Sequence, residues 1–449
     1  MKKVCIVGLG FVGSAMSIAV SRPIKNNKPL FNVVGIDQDT TEGNKRIDKL
    51  NKAIFPFPTK DKFLKKTLKI AVNENNNFFA TSNFDEITNA DVIIVDINLD
   101  VDKSSKNGEI IIEPFKECIK SISLKCRKDA LILVETTVPP GTTNNIVLPI
   151  FLDSFKKRKI ETDPLLAHSY ERVMPGPNYL DSIINFPRVY SAVSSNAKKK
   201  CREFLSLVLN GNLSFVKNTK SSEMAKVLEN SYRAMNIAFI EEWSIFAEKA
   251  GVDLYEVLNV IRSRSTHNNI MSPGLGVGGY CLTKDSLLAD WSSTNLFNNS
   301  ELILSKSSVL INDEMANKSF ERLYPFIYKS GKKILLLGAS YLPGIGDERS
   351  SPAIALYKKL IDKKFNVEII DEYLDFSLEL NKPISKNPKF KKYDSVILTT
   401  AHSRYLMPSF IKLIFNLNPN LIIDCWGKWS ASKFKKNYKF IQLGNGETF

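Results

Sequence analysis

The segment Val4–Gly13 constrains the fold of this chain more than any other part of its sequence. An apolar run, VCIV, leads directly into three glycines spaced as G-x-G-x-x-G, and the helical pattern SAMSIAVS follows. In such a strand–turn–helix unit the first glycine makes the turn, the second lets a pyrophosphate approach the backbone, and the third lets helix pack on strand. The helix N-terminus then faces the diphosphate. The predicted dinucleotide-binding residues are Gly8, Gly10, Phe11, Val12 and Gly13.

An acidic residue, Asp37, ends the second predicted strand. A carboxylate at this place hydrogen-bonds the adenosine ribose and repels a 2′-phosphate. The loop from Arg22 to Asn32 is long, so Asp37 lies somewhat beyond the roughly 20 residues that this motif usually spans. The combination of strand, glycine turn, helix and Asp37 predicts NAD rather than NADP as the cofactor.

The apolar pattern divides the chain into two α/β regions and a long helix. With 449 residues it exceeds the roughly 250–300 at which one core stops growing. The first region has predicted strands at about 3–8, 33–37, 92–97 and 131–135, helices at Lys45–Ala53 and Phe115–Leu124, and a polar turn at Asn73–Asn77. The second has apolar strands at 332–338, 366–371, 395–400 and 421–427, with a helix from Pro352 to about Lys364.

Residues 219–250 lie between these regions and keep apolar positions at helical spacing, without proline or glycine. The patterns together predict an α/β protein of two Rossmann-like doubly wound domains joined by a long central helix. We place an NAD-binding domain at 1–200, a central helical domain with a cysteine loop at 201–318, and a UDP-sugar-binding domain at 319–449, the ligand of the last domain being implied by the resemblance described below.

Composition argues against several classes of protein. No apolar run approaches the roughly 20 residues of a membrane span. The three histidines lie far apart and the six cysteines are scattered singly, so neither a metal site nor a disulfide framework is predicted. The net charge of +15 is spread along the chain, which favours a solvated basic surface over a nucleic-acid partner. Because Met1-Lys2-Lys3 leads at once into the first strand, we expect no signal peptide and a cytoplasmic location.

The strongest local signal for chemistry is PGLGVGGYCLTKD, residues 273–285. Its glycines let the backbone approach a ligand closely, and they lead to Cys281, with Lys284 and Asp285 just after it. A thiol near a lysine reacts more readily as thiolate. An isolated cysteine is more often an inert core residue, but its place at the end of a glycine-rich loop favours a nucleophile.

Two further segments carry candidate polar groups. Lys226 and Asn230 are four residues apart on the long helix, and the apolar residues beside them (Met224, Ala225, Val227 and Leu228) suggest that this face is buried. A buried ammonium beside an amide can stabilise an oxyanion. The segment ETTVPPGTT, residues 135–143, lies at the end of a buried strand, and the carboxyl end of such a strand faces the nicotinamide side of the cleft. A solvated polar pair and a stiff helix-capping turn are the alternatives for these two segments.

Six segments in this order resemble the UDP-glucose/GDP-mannose dehydrogenase family: GLGFVG, ETTVPPGTT, SYERVMPG, EMAKVLENSYRAMNIAF, PGLGVGGYCLTKD and LLLGASYLPGIGDERSSPAIAL. The resemblance covers nearly the whole chain. It implies an NAD-dependent four-electron oxidation of the C6 hydroxymethyl of a UDP-hexose to a uronic acid, for surface polysaccharide precursor synthesis. The aldehyde stage would be held on Cys281 as a thiohemiacetal and then a thioester.

The resemblance also implies roles for individual residues. Lys226 and Asn230 would stabilise the alkoxide and the tetrahedral oxygen, Asp285 and Thr137 would hold the hydrolytic water, and Glu171 would act as acid/base or position water. Thr137 and Lys284 are predicted to lie on the cofactor side. The predicted substrate-binding residues are Glu171, Arg172, Lys226, Asn230, Arg233, Gly278, Gly279 and Arg349. A homodimer is implied, with Arg349 reaching across the interface.

Four departures from the family pattern concern the sugar: Tyr170, Tyr280, Thr283 and Leu342 stand where the family commonly has other residues. The segments ERVMPG and ENSYRAMNIAF resemble the branch that handles UDP-N-acetylhexosamines, whereas LTKD resembles the UDP-glucose branch. We favour an N-acetylhexosamine. The alternative functions are a two-electron NAD-dependent hydroxy-acid dehydrogenase, which has no use for the cysteine loop, and a non-catalytic nucleotide-sugar binding protein, which has no need of Cys281, Lys226 or Asp285.

Overall fold

The computed structural model describes residues 1–103, 109–173, 176–434 and 438–449. They form two compact units, the first comprising Met1–Glu229 with Leu287–Glu301, the second Asn230–Ser286 with Leu302–Phe449. The strands before the long helix are β1 Lys2–Val7, β2 Ile24–Lys25, β3 Lys28–Pro29, β4 Phe31–Ile36, β5 Phe78–Thr81, β6 Val92–Val95, β7 Asp100–Asp102, β8 Glu109–Ile111, β9 Leu131–Val134, β10 Leu165–His168, β11 Arg188–Ala192 and β12 Leu213–Phe215. The helices of this part are α1 Phe11–Ser21, α2 Thr41–Asn51, α3 Lys62–Lys69, α4 Glu113–Lys125, α5 Leu148–Lys157, α6 Tyr179–Asn185 and α7 Ser195–Val208.

Four helices come next along the chain: α8 Thr219–Ala250, α9 Leu254–Arg262, α10 Asp285–Asn295 and α11 Ile303–Ser330. The remaining strands are β13 Lys333–Leu337, β14 Asn366–Ile370, β15 Phe376–Ser377, β16 Lys382–Pro383, β17 Ser395–Leu398, β18 Leu421–Asp424 and β19 Lys439–Gln442. The remaining helices are α12 Pro352–Asp362, α13 Ser403–Leu406, α14 Pro408–Asn416 and α15 Ala431–Phe434.

The first unit is built on an eight-stranded sheet in the order β12-β11-β10-β9-β6-β1-β4-β5. From β5 to β10 the strands are parallel, and their order along the chain is the 3-2-1-4-5-6 of a dinucleotide-binding fold. Alternate side chains of β1 serve opposite faces: Val4 and Ile6 pack with helices α1, α3, α6 and α7, whereas Cys5 and Val7 pack in the core that α4 and α5 cover. The order reverses between β1 and β6, where a ligand crevice is expected.

The second unit contains a five-stranded parallel sheet in the order β14-β13-β17-β18-β19. This is the 2-1-3-4-5 order of the other common doubly wound fold. Ile334 and Leu336 pack against α11 and α12, while Leu335 and Leu337 pack against α13 and α14. Both sheets are thus covered by helices on two faces, which confirms the predicted fold class.

Element boundaries differ in places from the prediction. Helix α2 begins at Thr41 rather than Lys45 because the Thr40 hydroxyl caps it by accepting from Gly43 N at 3.1 Å. The predicted turn at Asn73–Asn77 is wrong in its first half, since a π-helical turn at Ile70–Glu74 continues α3. The long helix is confirmed as α8, 32 residues in length. Within the described ranges no helix is long and apolar enough to cross a membrane.

Candidate active site

The predicted glycine turn of the first unit joins β1 to α1. Gly8 has φ of +99°, which favours glycine, and its N–H donates to Ile36 O at 2.8 Å. A Cβ on Gly13 would lie 1.9 Å from Gly8 O, so only glycine lets the helix approach the turn this closely. At Gly10, the N-cap of α1, the nearest atom to such a Cβ is 3.9 Å away, so the turn is open at this residue. An open glycine turn at a helix N-terminus fits a dinucleotide diphosphate.

Phe11 and Val12 lie partly buried in the first turn of α1. The Phe11 ring stacks on Phe57 with ring centroids 4.1 Å apart, and its carbonyl accepts from the Tyr179 hydroxyl at 2.6 Å. These contacts hold the start of α1 in place behind the glycine turn.

Asp37 follows β4, at the carboxyl edge of the sheet beside the glycine turn. Its side chain is only 7% exposed, and one carboxylate oxygen accepts from Gln38 N at 2.8 Å. The other oxygen accepts from Arg46 Nε of α2 at 2.6 Å. The predicted cofactor-selecting carboxylate is therefore paired with a cation that the sequence analysis did not single out.

The segment Glu135–Thr143 leaves β9 as a turn fixed at several points within the first unit. The Thr136 hydroxyl lies 3.0 Å from Val95 O and 2.9 Å from Ile97 O. Thr137 follows and is half-buried. At the far end Gly141 N and Thr143 N both donate to the Glu223 carboxylate, at 2.6 and 2.8 Å. Thr137 thus lies between two anchored points.

Beneath this turn two carboxyl groups share a buried site with one guanidinium. Asp96 directly follows β6, Glu135 directly follows β9, and Arg188 of β11 donates to Glu135 Oε1. Burial, and next the neighbouring Glu135, raise the pKa of Asp96 well above its ordinary value; burial also raises the pKa of Glu135. With one cation for two acids, the cluster is neutral when the carboxyl pair keeps a proton.

Glu171 and Lys226 meet within the first unit. Lys226 Nζ donates to Glu171 O at 2.9 Å and lies 3.4 Å from Glu171 Oε1, while Glu171 Oε2 accepts from Val173 N at 2.5 Å. Lys226 is 8% exposed, as predicted for a buried ammonium. Of its apolar neighbours, however, Met224 and Leu228 are 52% and 62% exposed, so the prediction that they line a buried face is wrong.

Arg172, the next predicted substrate residue, is bound by its own unit. Its guanidinium donates to Pro187 O and to the Tyr170 hydroxyl, both at 3.2 Å, and lies 3.4 Å from Glu229 Oε2. The last two residues of the predicted ERVMPG segment before its glycine, Met174 and Pro175, lie outside the described residues.

In the second unit, the cysteine loop leads into α10. Cys281 is exposed, and its carbonyl accepts from Asp285 N at 2.9 Å and Lys284 N at 3.2 Å. The fully buried Asp285 accepts from Asn230 Nδ2 through Oδ2 at 2.6 Å. The structure therefore brings together Asn230, Asp285 and the backbone of Cys281, three of the predicted catalytic residues.

The glycines before Cys281 pack against the segment that carries Arg349. Gly279 has φ of +82° and donates to Arg349 O at 2.8 Å. A Cβ on Gly278 or Gly279 would lie 2.5 or 2.8 Å from Tyr341 atoms, so both positions need glycine. Arg349 itself makes a two-point ion pair with Asp347, at 3.0 and 2.6 Å.

Tyr280 lies beside two cations of the second unit. Lys284 Nζ is 4.1 Å from the ring centroid and Arg349 Cζ is 6.0 Å from it. Arg233 is exposed on α8 and its charge acts on Tyr341, whose pKa burial raises to about 12. Four of the predicted substrate residues of this unit, Arg233, Gly278, Gly279 and Arg349, therefore lie near Tyr280 or Tyr341.

Sequence reasoning missed three residues that the site uses: Arg46, Glu223 and Arg188. Glu223 stands one helical turn before Lys226, so its i,i+3 spacing on an otherwise apolar stretch was a usable signal. Arg46 was contained in a predicted helix and Arg188 in no predicted element. Their partners are distant in sequence, and pattern alone does not reveal them.

Three sequence models of one family match the chain in order. They describe the NAD binding domain, the central domain and the UDP binding domain of the UDP-glucose/GDP-mannose dehydrogenase family, and they match residues 2–206, 220–313 and 335–431. The predicted family, the NAD cofactor and the enzyme class are thereby confirmed.

Individual relatives span the whole chain. The UDP-N-acetyl-D-mannosamine dehydrogenase of Methanocaldococcus jannaschii is 28% identical over 99% of this chain and 97% of its own. The UDP-glucose 6-dehydrogenase of Rickettsia bellii is 26% identical over 98% and 99%. The solved structure of the UDP-D-ManNAc dehydrogenase from Pyrococcus horikoshii has a TM-score of 0.82 at 23% identity, covering 99% of this chain and 100% of that one, which shows the shared fold. Matched along its length by all three domain models, the chain belongs to the UDP-glucose/GDP-mannose dehydrogenase family.

Proposed function

We propose that the enzyme oxidises the C6 hydroxymethyl of UDP-N-acetyl-D-mannosamine to the carboxylate of the corresponding uronic acid. Several full-length relatives at 24–28% identity are named UDP-N-acetyl-D-mannosamine dehydrogenase. The sequence features of ERVMPG and ENSYRAMNIAF support the same class of N-acetylated sugar. Supplying a surface polysaccharide precursor remains a prediction from the resemblance.

The proposed mechanism assigns one task to each group. NAD would accept one hydride in each of the two oxidations, so two NAD molecules would bind in succession to the first unit, at the glycine turn and Asp37. The Cys281 thiolate adds to C6 at the aldehyde level, forming a thiohemiacetal, and after the second oxidation the carbon is a thioester. Lys226 and Asn230 stabilise the negative oxygen at C6. Water held by Asp285 and Thr137, with Glu171 as the proton-handling group, then hydrolyses the thioester to the carboxylate and the free thiol.

One observation supports this proposal above the others. Asn230 of α8 donates a hydrogen bond of 2.6 Å to Asp285, which lies on the turn after Cys281. Asp285 is fully buried, so its carboxylate is held in one orientation. A loop that merely bound a nucleotide sugar would have no need for an exposed thiol beside such an oriented carboxylate. A hydroxy-acid dehydrogenase would have no need for the thiol at all.

Product stoichiometry tests the covalent mechanism. We expect two NADH for each uronic acid formed, with little free aldehyde, because the intermediate stays on Cys281. Cys281→Ser should stop steady turnover after the first oxidation, while Cys118→Ser, at a half-buried cysteine, should keep wild-type turnover. One NADH per product, or normal turnover of Cys281→Ser, would remove Cys281 from the nucleophile role.

The sugar is tested separately from the mechanism. The Rickettsia relative and the LTKD segment favour UDP-glucose as the second candidate. We expect kcat/KM for UDP-N-acetyl-D-mannosamine to exceed that for UDP-glucose, UDP-N-acetylglucosamine and UDP-N-acetylgalactosamine in an NADH-forming assay. A higher value for any of the other three would replace the proposed substrate and leave the reaction type unchanged.

We also propose a homodimer formed through α8. One face of this helix exposes large apolar side chains at helical spacing, between 47% and 62% exposed: Met224, Leu228, Tyr232, Phe239, Trp243 and Phe246. The Trp243 ring contacts Phe239 at a tilted angle and Phe246 edge to face, with ring centroids 6.1 and 5.9 Å apart. A continuous apolar stripe of this kind marks a protein interface. Sedimentation velocity should show a dimer.

Arg349 is proposed to complete the partner's site. Mixing Cys281→Ser with Arg349→Ala subunits, under conditions that exchange protomers, separates the possibilities. If Arg349 serves the partner, each mixed dimer of the symmetric pair regains one intact site, or about a quarter of wild-type activity in an equal mixture. If Arg349 serves its own subunit, no mixed dimer is active.

A further inference from the structure

We propose that Glu223 is a positioning residue for the cofactor side of the active site: its carboxylate clamps the Pro139–Thr143 turn and so fixes Thr137. The proposal rests on the assignment of Thr137 to the nicotinamide side under the proposed function. The role proposed for Glu223 is indirect, because it acts through the Glu135–Thr143 segment that contains Thr137.

The clamp uses both oxygens of one carboxylate. Glu223 Oε2 accepts from Gly141 N at 2.6 Å and Oε1 accepts from Thr143 N at 2.8 Å. Glu223 has no solvent exposure. Because both acceptors are engaged and water is excluded, the two amides have no substitute partner if the carboxylate is lost.

Other contacts also fix this turn, so we expect the loss of the Glu223 clamp to displace Thr137. Ser292 of α10 donates to Pro140 O at 2.5 Å, and the Phe297 ring lies 2.8 Å from where a Gly141 Cβ would stand. On the other side of Thr137, the Thr136 hydroxyl is fixed to the carbonyls after β6. The position of Thr137 is therefore fixed by hydrogen bonds on both sides of it. Those made by Glu223 depend on a titratable group.

The charge of Glu223 responds to pH near neutrality. Burial raises its pKa to about 7, opposed by the hydrogen bonds from Thr143 and Gly141. The turn faces Glu223 with the amides of Gly141 and Thr143 and the Thr143 hydroxyl, and Lys220 faces it from its own helix, with its ammonium 5.2 Å from the Phe297 ring centroid. Below this pKa one carboxyl oxygen of Glu223 carries a proton and faces an N–H group that is also a donor. The clamp then loses one of its two hydrogen bonds.

The test is the affinity for NAD alone, measured by calorimetric titration between about pH 6 and pH 8.5. Wild-type Kd should rise as pH falls through about 7, because Glu223 becomes protonated. Glu223→Gln places an NH2 group where an acceptor is needed and imitates the protonated acid. We expect its Kd at pH 8 to be about tenfold above wild type, the effect of losing one charged hydrogen bond, and its Kd to be flat through pH 7.

Glu241→Gln is the matched control. Glu241 is a second buried glutamate of α8 whose pKa burial also raises to about 7, and it pairs with Arg322 at 2.8 Å. This variant should lower the melting temperature and keep the wild-type pH profile of NAD binding. The proposal is overturned if Glu223→Gln behaves like Glu241→Gln, or if wild-type Kd is flat through pH 7. The second result needs no variant, and neither depends on which sugar is oxidised.

Discussion

Cofactor choice is predicted to depend on the Asp37–Arg46 pair rather than on Asp37 alone. In the structure, Arg46 Nε donates to Asp37 Oδ2 at 2.6 Å. This ion pair engages a guanidinium that could otherwise bind a phosphate. Asp37→Ser removes the negative charge and releases Arg46 in the same step. We therefore expect this single substitution to convert an NAD enzyme into one that prefers NADP.

The magnitude follows from two contributions. If Asp37 disfavours NADP by about a hundredfold, its removal stabilises the NADP complex, relative to the NAD complex, by roughly 2.7 kcal/mol. A freed Arg46 that hydrogen-bonds the 2′-phosphate adds about 1.5–3 kcal/mol. The sum is about 4–6 kcal/mol, so the ratio of kcat/KM for NADP to that for NAD should rise by roughly a thousandfold or more.

Initial rates of reduced-cofactor formation with each dinucleotide give this ratio. Asp37→Ser with Arg46→Met should recover only the first contribution, about a hundredfold. If the single and double variants change the ratio equally, Arg46 does not take over the phosphate. If neither variant improves NADP, Asp37 does not select the cofactor.

Substitutions at three further positions test the first unit and the dimer. Lys226→Ala should lower kcat by about a hundredfold with much less effect on the sugar KM, and Lys226→Arg should not restore it fully; unchanged kcat would assign Lys226 to packing with Glu171. Gly13→Ala places a Cβ 1.9 Å from Gly8 O and should abolish measurable NAD binding, which a calorimetric titration checks. Phe246→Glu puts a charge in the apolar stripe of α8 and should give monomers in sedimentation velocity, a result that a persistent dimer would contradict.

The sequence predicted those parts of the fold that a local residue pattern specifies. The glycine turn after β1, the uninterrupted α8 and the apolar runs of β13, β17 and β18 each specify a structure within one short segment. The antiparallel β11 was not predicted because strand direction depends on pairing with β10, which sequence spacing does not encode. The π-helical end of α3 was not predicted either, since Asn73 and Asn75, the C-cap of this turn, are typical turn residues.

The site divides in the same way. Lys226, Asn230 and Cys281 could be singled out because their residue types are unusual for their surroundings, and the resemblance supplied their order of action. The partners that hold them are remote: Glu171 is 55 residues from Lys226, and Asp285 is 55 from Asn230. Arg46 pairs with the Asp37 carboxylate, and Glu223 accepts hydrogen bonds from the amides of Gly141 and Thr143. Charged residues are so common in helices that neither role could be predicted from the sequence.

The distribution of cysteines makes this enzyme selectively open to electrophiles and oxidants. Of its six thiols, all in the described part of the chain, Cys281 is exposed, while Cys118 is half-buried and the other four are buried. Burial raises the pKa of Cys5, Cys118 and Cys201 to about 12, so these thiols stay protonated and unreactive at neutral pH. One equivalent of an alkylating reagent per subunit should therefore label Cys281. Under the proposed mechanism, mild peroxide should also inactivate the enzyme through a sulfenic acid at Cys281 that added thiol reverses.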